Sequence, residues 1–245
     1  MSLTGRKQIQ ALAATLAVLA LAAPACSQRA VAPDQNLNTG IGFRGGPDRA
    51  GVIEGSGPAQ PKVQWSIDAG GHVISSPIPL ADGIVVVGGD GSLRRIDLDG
   101  TQQWSRQIGA SEATPVVVGD VVLEPDSSGS LFAVSVNDGE VIWKKALGGS
   151  VRSSPLVANG QLIDGVDDEV LTVDISDGSV VHRFPLGAST GSSPALSEGA
   201  IVIGDADNQV VALDIANGSK LWFHDFGHPS MPQTFFRVAD GVVAT

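Results

Sequence analysis

The residues that invite a chemical reading are carboxylates, serines, one histidine and one cysteine. Asp205-Ala206-Asp207-Asn208 sets side-chain oxygens at alternate positions, which is how a calcium loop begins. The glycine that should follow and the distant bidentate glutamate are missing, so the stretch reads as a hairpin turn. Asp167-Asp168-Glu169 gathers three carboxylates that could hold a cation weakly, and it falls in the same turn one unit earlier, where a solvated turn is expected. Ser75-Ser76, Ser153-Ser154 and Ser192-Ser193 offer hydroxyl nucleophiles. None lies in the Gly-x-Ser-x-Gly elbow that exposes a catalytic serine. Each pair precedes a proline, and the hydroxyls are expected to cap loop backbone there. His182 has no Cys/His cluster near it that could share a metal. No catalytic residue, no metal ligand and no cofactor site is assigned from these groups. The single cysteine, Cys26, excludes an internal disulfide.

The elements that carry these residues repeat. Ser/Thr-Pro recurs at Pro77, Pro115, Pro155 and Pro194, spaced by 38, 40 and 39 residues, and a fifth register starts at Pro232. Trp65, Trp104, Trp143 and Trp222 lie 39, 39 and 79 apart, with His182 in the vacant slot. Two independent rulers give one period near 39, the signature of a solenoid, array or propeller. The unit from Ser192 holds four short apolar runs: PALS, AIVIG, QVVALDI and KLWFHDF. They are separated by Glu198-Gly199, Asp205 to Asn208 and Asn217-Gly218, the marks of strands joined by tight hairpins. Asp82-Gly83, Asp90-Gly91, Asp138-Gly139, Asn159-Gly160 and Asp177-Gly178 repeat those turns elsewhere. No unit has the three-and-four apolar spacing of a helix. The fold class is therefore all-β: a β-propeller of four-stranded antiparallel blades.

The blades fall at about 70–108, 109–147, 148–186 and 187–227, with a partial one at 228–245. About four and a half blades leave unpaired edges. The sequence is read as a fragment that forms an open or partial ring.

Composition narrows the class of partner. The formal net charge of −11 argues against nucleic acid, which demands a basic face. Arg6 and Lys7 precede an uncharged Ala/Leu-rich stretch whose apolar core, Leu12 to Ala23, is too short to span a bilayer. Residues 1–25 read as a signal peptide ending in the small-x-small pattern Ala23-Pro24-Ala25. With Cys26 immediately after, the site is similar to a bacterial lipoprotein signal, which implies acylation of Cys26 and a membrane anchor. Residues 26–42 read as a flexible tether, and Phe43 to Pro58, dense in Gly and Pro, as loop.

The pattern Ala-x-Asp-x-x-x-Gly-x-x-x-Trp resembles the tryptophan-docking motif of the pyrroloquinoline-quinone-type (PQQ-like) β-propellers. Ala212, Asp214, Gly218 and Trp222 match in full, and Ala133, Gly139 and Trp143 match with Ser135 for Asp. Asp97, Gly100 and Trp104 match with one residue fewer before the glycine. The third unit has Asp174 and Gly178, with Thr172 for Ala and His182 for Trp. FRGGPDRAGVIEGSGP also resembles the segment that precedes blade one in this family, so the resemblance covers residues 43–245. It implies that Trp104, Trp143 and Trp222 pack between blades against glycine, a structural role, and that His182 fills a docking slot. A tryptophan suits such a slot because it buries a large apolar area and keeps one N–H for a partner.

Two functions are compatible with that fold. The resemblance to BamB-type envelope lipoproteins implies a non-catalytic, exported scaffold in the periplasm or cell envelope. It would bind other envelope proteins through its rims or edges and assist outer-membrane protein assembly. The alternative is a fragment of a quinoprotein dehydrogenase using PQQ and calcium. With no adjacent cysteine pair and no recognisable ligand set, the scaffold is the expected reading, and the chain is expected not to be an enzyme.

Overall fold

The computed structural model describes residues 40–51 and 60–227, together with the backbone of the strands Thr15–Val18, Arg237–Ala239 and Val242–Ala244. Strand β1 is Thr15–Val18 and β2 is Trp65–Asp68, and the two pair antiparallel.

Four meanders follow. Blade one is β3 Ile78–Leu80, β4 Gly83–Val87, β5 Ser92–Asp97 and β6 Gln102–Gln107. Blade two is β7 Val116–Val118, β8 Val121–Pro125, β9 Ser130–Ser135 and β10 Val141–Ala146. Blade three is β11 Leu156–Ala158, β12 Gln161–Val166, β13 Glu169–Asp174 and β14 Val180–Pro185. Blade four is β15 Ala195–Ser197, β16 Ala200–Gly204, β17 Gln209–Asp214 and β18 Lys220–Asp225. Strands β19 Arg237–Ala239 and β20 Val242–Ala244 form a further hairpin. Each blade is an antiparallel sheet in sequence order, and among the described residues no hydrogen bond joins blade one to blade four. The ring is open.

The core lies between blades rather than inside any one of them. Successive residues of a strand point to opposite faces, so a middle blade buries both. From blade two, Val117, Val122 and Phe132 pack towards blade one with Val85 and Leu93. Its Val116, Leu123 and Leu131 pack towards blade three with Leu162 and Leu171. Blade three repeats the pattern against Ile201, Ile203 and Val211 of blade four. This explains why the inner strands read as unbroken apolar runs.

The serine–proline repeat sits at the inner end of each blade and joins neighbours. The Ser76 amide donates to Thr114 Oγ1 (2.9 Å), the Thr114 amide to Ser154 Oγ (2.9 Å), and the Ser154 amide to Ser193 Oγ (2.9 Å). The hydroxyls do cap backbone before the proline, but the backbone belongs to the preceding blade. A second set of hydroxyls works within its own blade: Ser75 Oγ on Val87, and Thr190 Oγ1 on the Gly204 carbonyl (2.6 Å).

Candidate functional site

The blade registers align by their first paired residues: Ile78 with Val85, Val116 with Leu123, Leu156 with Ile163, and Ala195 with Val202. The next position outward is then Val86, Glu124, Asp164 and Ile203. Blades one and four place a hydrocarbon there, whereas blades two and three place a carboxyl group with no exposed surface. Serines hold both acids. Ser111 Oγ donates to Glu124 Oε1 (2.5 Å), and Ser153 Oγ donates to Asp164 Oδ1, which also accepts the Gly165 amide (2.8 Å). The second oxygen of each, Glu124 Oε2 and Asp164 Oδ2, has no hydrogen-bond partner.

Burial disfavours the ionised forms. It pushes the Glu124 carboxyl well above its ordinary range, against the pull of the Ser111 hydroxyl. The same cause raises Asp164 to about 7, opposed by Ser153, the Gly165 amide and the charge of Arg49.

Arg49 is the cation of this centre, and it arrives from outside the blades. Residues 40–51 lie along the inner strands of blades two to four. Ile41 forms a two-way bridge with Val117 (2.9 and 2.8 Å), the Gly40 amide reaches the Val157 carbonyl (3.3 Å), and the Leu196 amide donates to the Pro47 carbonyl (2.8 Å). Arg49 is 2% exposed. Its Nη2 donates to the carbonyls of Ser154 (2.6 Å) and Pro155 (2.9 Å), and its Nε to Pro194 (3.0 Å). Nη1 donates to the Phe43 carbonyl within the segment (2.7 Å). One guanidinium therefore ties the serine–proline turns of blades three and four. Burial lowers Arg49 to about 10, which the nearby Asp164 and Asp48 charges resist, so it stays charged at neutral pH.

The arrangement can bind and position. The Ser153–Asp164 pair has no histidine: His182 sits on outer strand β14, its Nδ1 3.2 Å from Thr172 Oγ1. A calcium–quinone pair does not fit these residues. Among the described residues no three His, Cys, Asp or Glu side chains converge to hold a metal, and the two central acids take serine hydroxyls. Asp205 Oδ1 accepts the amides of Asp207 and Gln209 (3.0 Å each), as a turn does. Asp167, between β12 and β13, takes on Oδ1 the Ser150 amide of the connection from blade two (3.0 Å).

At the outer strands, Trp104 donates Nε1 to the Val136 carbonyl of blade two (2.7 Å) and Trp143 to Ile175 of blade three (3.2 Å). Trp65, from β2, does the same to Leu98 of blade one (2.8 Å). Trp104 lies on Gly139, where a Cβ would stand 2.7 Å from the ring and φ is +73°. Gly100 bears Trp65 and Gly178 bears Trp143 in the same way. Ala133 and Ala212 are the cross-strand neighbours of Trp143 and Trp222, and each pairing slips by a bulge beside that position. Asp214 turns the hairpin, its carboxylate taking the Ala216 amide (2.8 Å) and its carbonyl the Gly218 amide (2.7 Å).

Two expectations need correction. Gly218 faces Phe184, not His182. The two residues share a strand face two positions apart, and His182 stacks on Phe184 (5.4 Å between ring centres). Trp222 is 43% exposed, because no described blade follows β18 to cover it. Cys26 lies outside the described residues.

Sequence reading passed over Glu124, Asp164 and Arg49. The acids were legible as breaks in the apolar run at one repeat position. Arg49 was hidden in a segment that reads as loop.

The sequence pattern of the family described as outer membrane protein assembly factor BamB matches residues 48–150 and 114–242. No curated protein sequence matches the chain. Among solved structures, BamB from Moraxella catarrhalis superposes with a TM-score of 0.58 at 18% identity, over 66% of this chain and 51% of that one. The computationally designed protein Ika8 gives 0.59 at 19% identity, over 72% and 56%. A europium-containing methanol dehydrogenase gives 0.58 at 12% identity, over 66% and 43%. The chain spans about half the length of these structures, and the likeness is one of fold.

Proposed function

This chain belongs to the family of the outer membrane protein assembly factor BamB, and we propose that it is a non-catalytic, protein-binding scaffold of the cell envelope serving outer-membrane protein assembly. The family match carries this reading. The chemistry of the centre is compatible with it, since Arg49 occupies the inner turns with hydrogen bonds to backbone carbonyls. The outer strands add surface a protein partner can use. Ile142 (53% exposed) on blade two, and Leu221 (52%) and Phe223 (57%) on blade four, present apolar side chains. An exported location and an acyl anchor on Cys26 complete the proposal and are tested by the mass of the mature N-terminus.

The direct experiment measures association of the purified chain with a purified outer-membrane β-barrel assembly protein by surface plasmon resonance. Saturable binding that weakens when Ile142, Leu221 and Phe223 are changed together to serine is expected. Binding that is absent, or indifferent to those changes, counts against the scaffold. Dye-linked alcohol oxidation after addition of PQQ and calcium is expected to stay at background; turnover would favour the quinoprotein reading.

A further inference from the structure

We propose that the inner face of blades two to four is a receptor for a glycine-rich peptide segment bearing an arginine, filled in cis by residues 40–51 and open to a like segment of a partner protein when the cis segment yields. The partner's identity rests on the scaffold reading above; the receptor itself does not.

Three features make this face a receptor rather than a packed loop. Its contacts to the segment are mostly backbone: the Ile41–Val117 bridge and the Gly40 and Pro47 bonds depend little on side chains. Recognition through backbone groups leaves selection to a few pockets. The selecting pocket is the guanidinium cradle. The carbonyls of Ser154, Pro155 and Pro194 belong to turns already fixed by the hydroxyl relay between blades, so the cradle is built from blade residues. Asp164 lies close enough to interact with the guanidinium charge, and its Oδ2 is fully buried and unpartnered. A second selection comes from space: a Cβ on Gly40 would stand 2.6 Å from Val116 Cγ2, so the position before the Ile41 bridge favours glycine.

The segment also keeps a shape of its own. Gly42 and Gly45 exchange backbone bonds (2.9 and 3.0 Å), and the Gly51 amide returns to Arg44 (2.9 Å). Arg44 and Arg49 hold φ at +56° and +57°, a conformation costly for a long side chain, which persists where surroundings impose it. A short self-closed knot, strained and held by one buried arginine, is suited to exchange. The tethered copy has a high effective concentration, so a free segment competes only when the cis contact is weakened.

The test uses the full chain carrying Arg49→Ala and two fluorescein-labelled peptides of residues 40–51, one unaltered and one with Arg49→Ala. Circular dichroism establishes that the variant is folded, and Arg49→Lys serves if the alanine variant is not. Fluorescence anisotropy is expected to give at least about tenfold tighter binding of the unaltered peptide to the variant chain than of the alanine peptide. The wild-type chain, its cradle filled, is expected to bind the unaltered peptide more weakly than the variant does. A folded variant that binds both peptides alike, or neither, overturns the receptor. Binding of the peptide without binding of an assembly protein would leave the receptor standing and sink the scaffold's proposed partner.

Discussion

The inner ends of the blades and their outer strands are built from the same repeat, yet they spend it differently. Outside, the repeat holds at three of four docking glycines: Trp65, Trp104 and Trp143 each lie on the glycine of the next blade and donate to a carbonyl there, and Phe184 lies on the fourth, Gly218. Inside, the repeat is broken twice. Glu124 and Asp164 stand where blades one and four have Val86 and Ile203, and a foreign arginine fills the turns between blades three and four. Repetition marks positions whose neighbour is always another blade. Departure from it marks positions whose neighbour is something particular.

The largest effect expected from this contrast is at an enclosed docking ring. Trp104→Ala should lower stability by about 3–5 kcal/mol in urea unfolding, since the ring is 9% exposed and its cavity cannot collapse. Trp222→Ala, at a ring 43% exposed, should change it by less than about 1 kcal/mol. Equal losses at the two sites would erase the distinction between an occupied and an open blade face.

Next comes the pH dependence of the centre. The folded chain keeps its proton on Asp164 to about 7, whereas the unfolded chain releases it near 3.8. Between those values the native state binds more protons, so stability falls as pH rises from about 4 to 7 and levels off above. The burial of Asp164 sets an upper bound of roughly 4 kcal/mol on that fall. Glu124, also raised by burial, acts in the same sense. Asp90 opposes it: the hydrogen bond from Arg94 lowers its carboxyl, so its contribution is lost as pH falls through that lowered value. Asp164→Asn should flatten the slope between pH 4 and 7 in denaturant melts. An unchanged slope would mean that the buried acid is not what titrates.

Arg49→Ala should cost about 2 kcal/mol, because the Pro194, Ser154 and Pro155 carbonyls lose a charged donor. Smallest among the enclosed sites is Thr114→Val, at about 1–2 kcal/mol, since it leaves the Ser76 amide unpaired but preserves volume. If the arginine change proved no more costly than a surface substitution, the centre would hold nothing that the blades do not already hold.

Much of this molecule is written locally. The Asx-Gly turns at Asp82-Gly83, Asp138-Gly139 and Asn217-Gly218 and the apolar runs between them dictate hairpins and hence blades. The 39-residue period dictates that blades stack. Both follow from residues a few positions apart or one period apart, so no long-range contact had to be known. The docking glycines were legible for the same reason, and Phe184 was not, because His182 and Phe184 lie on one strand face and only packing decides which of them meets Gly218.

The centre is different in kind. Arg49 meets Ser154 and Pro194 across 105 and 145 residues of sequence. Nothing local in a Gly/Pro-rich segment announces that it will lie on three blades. The sequence by itself determined the blade, its turns and the order of its repeats, because hairpin geometry and alternation act over a few residues. Only the tertiary structure decided that two acids share a buried centre with one arginine, because burial, and the charge it disfavours, is a property of the assembled arc.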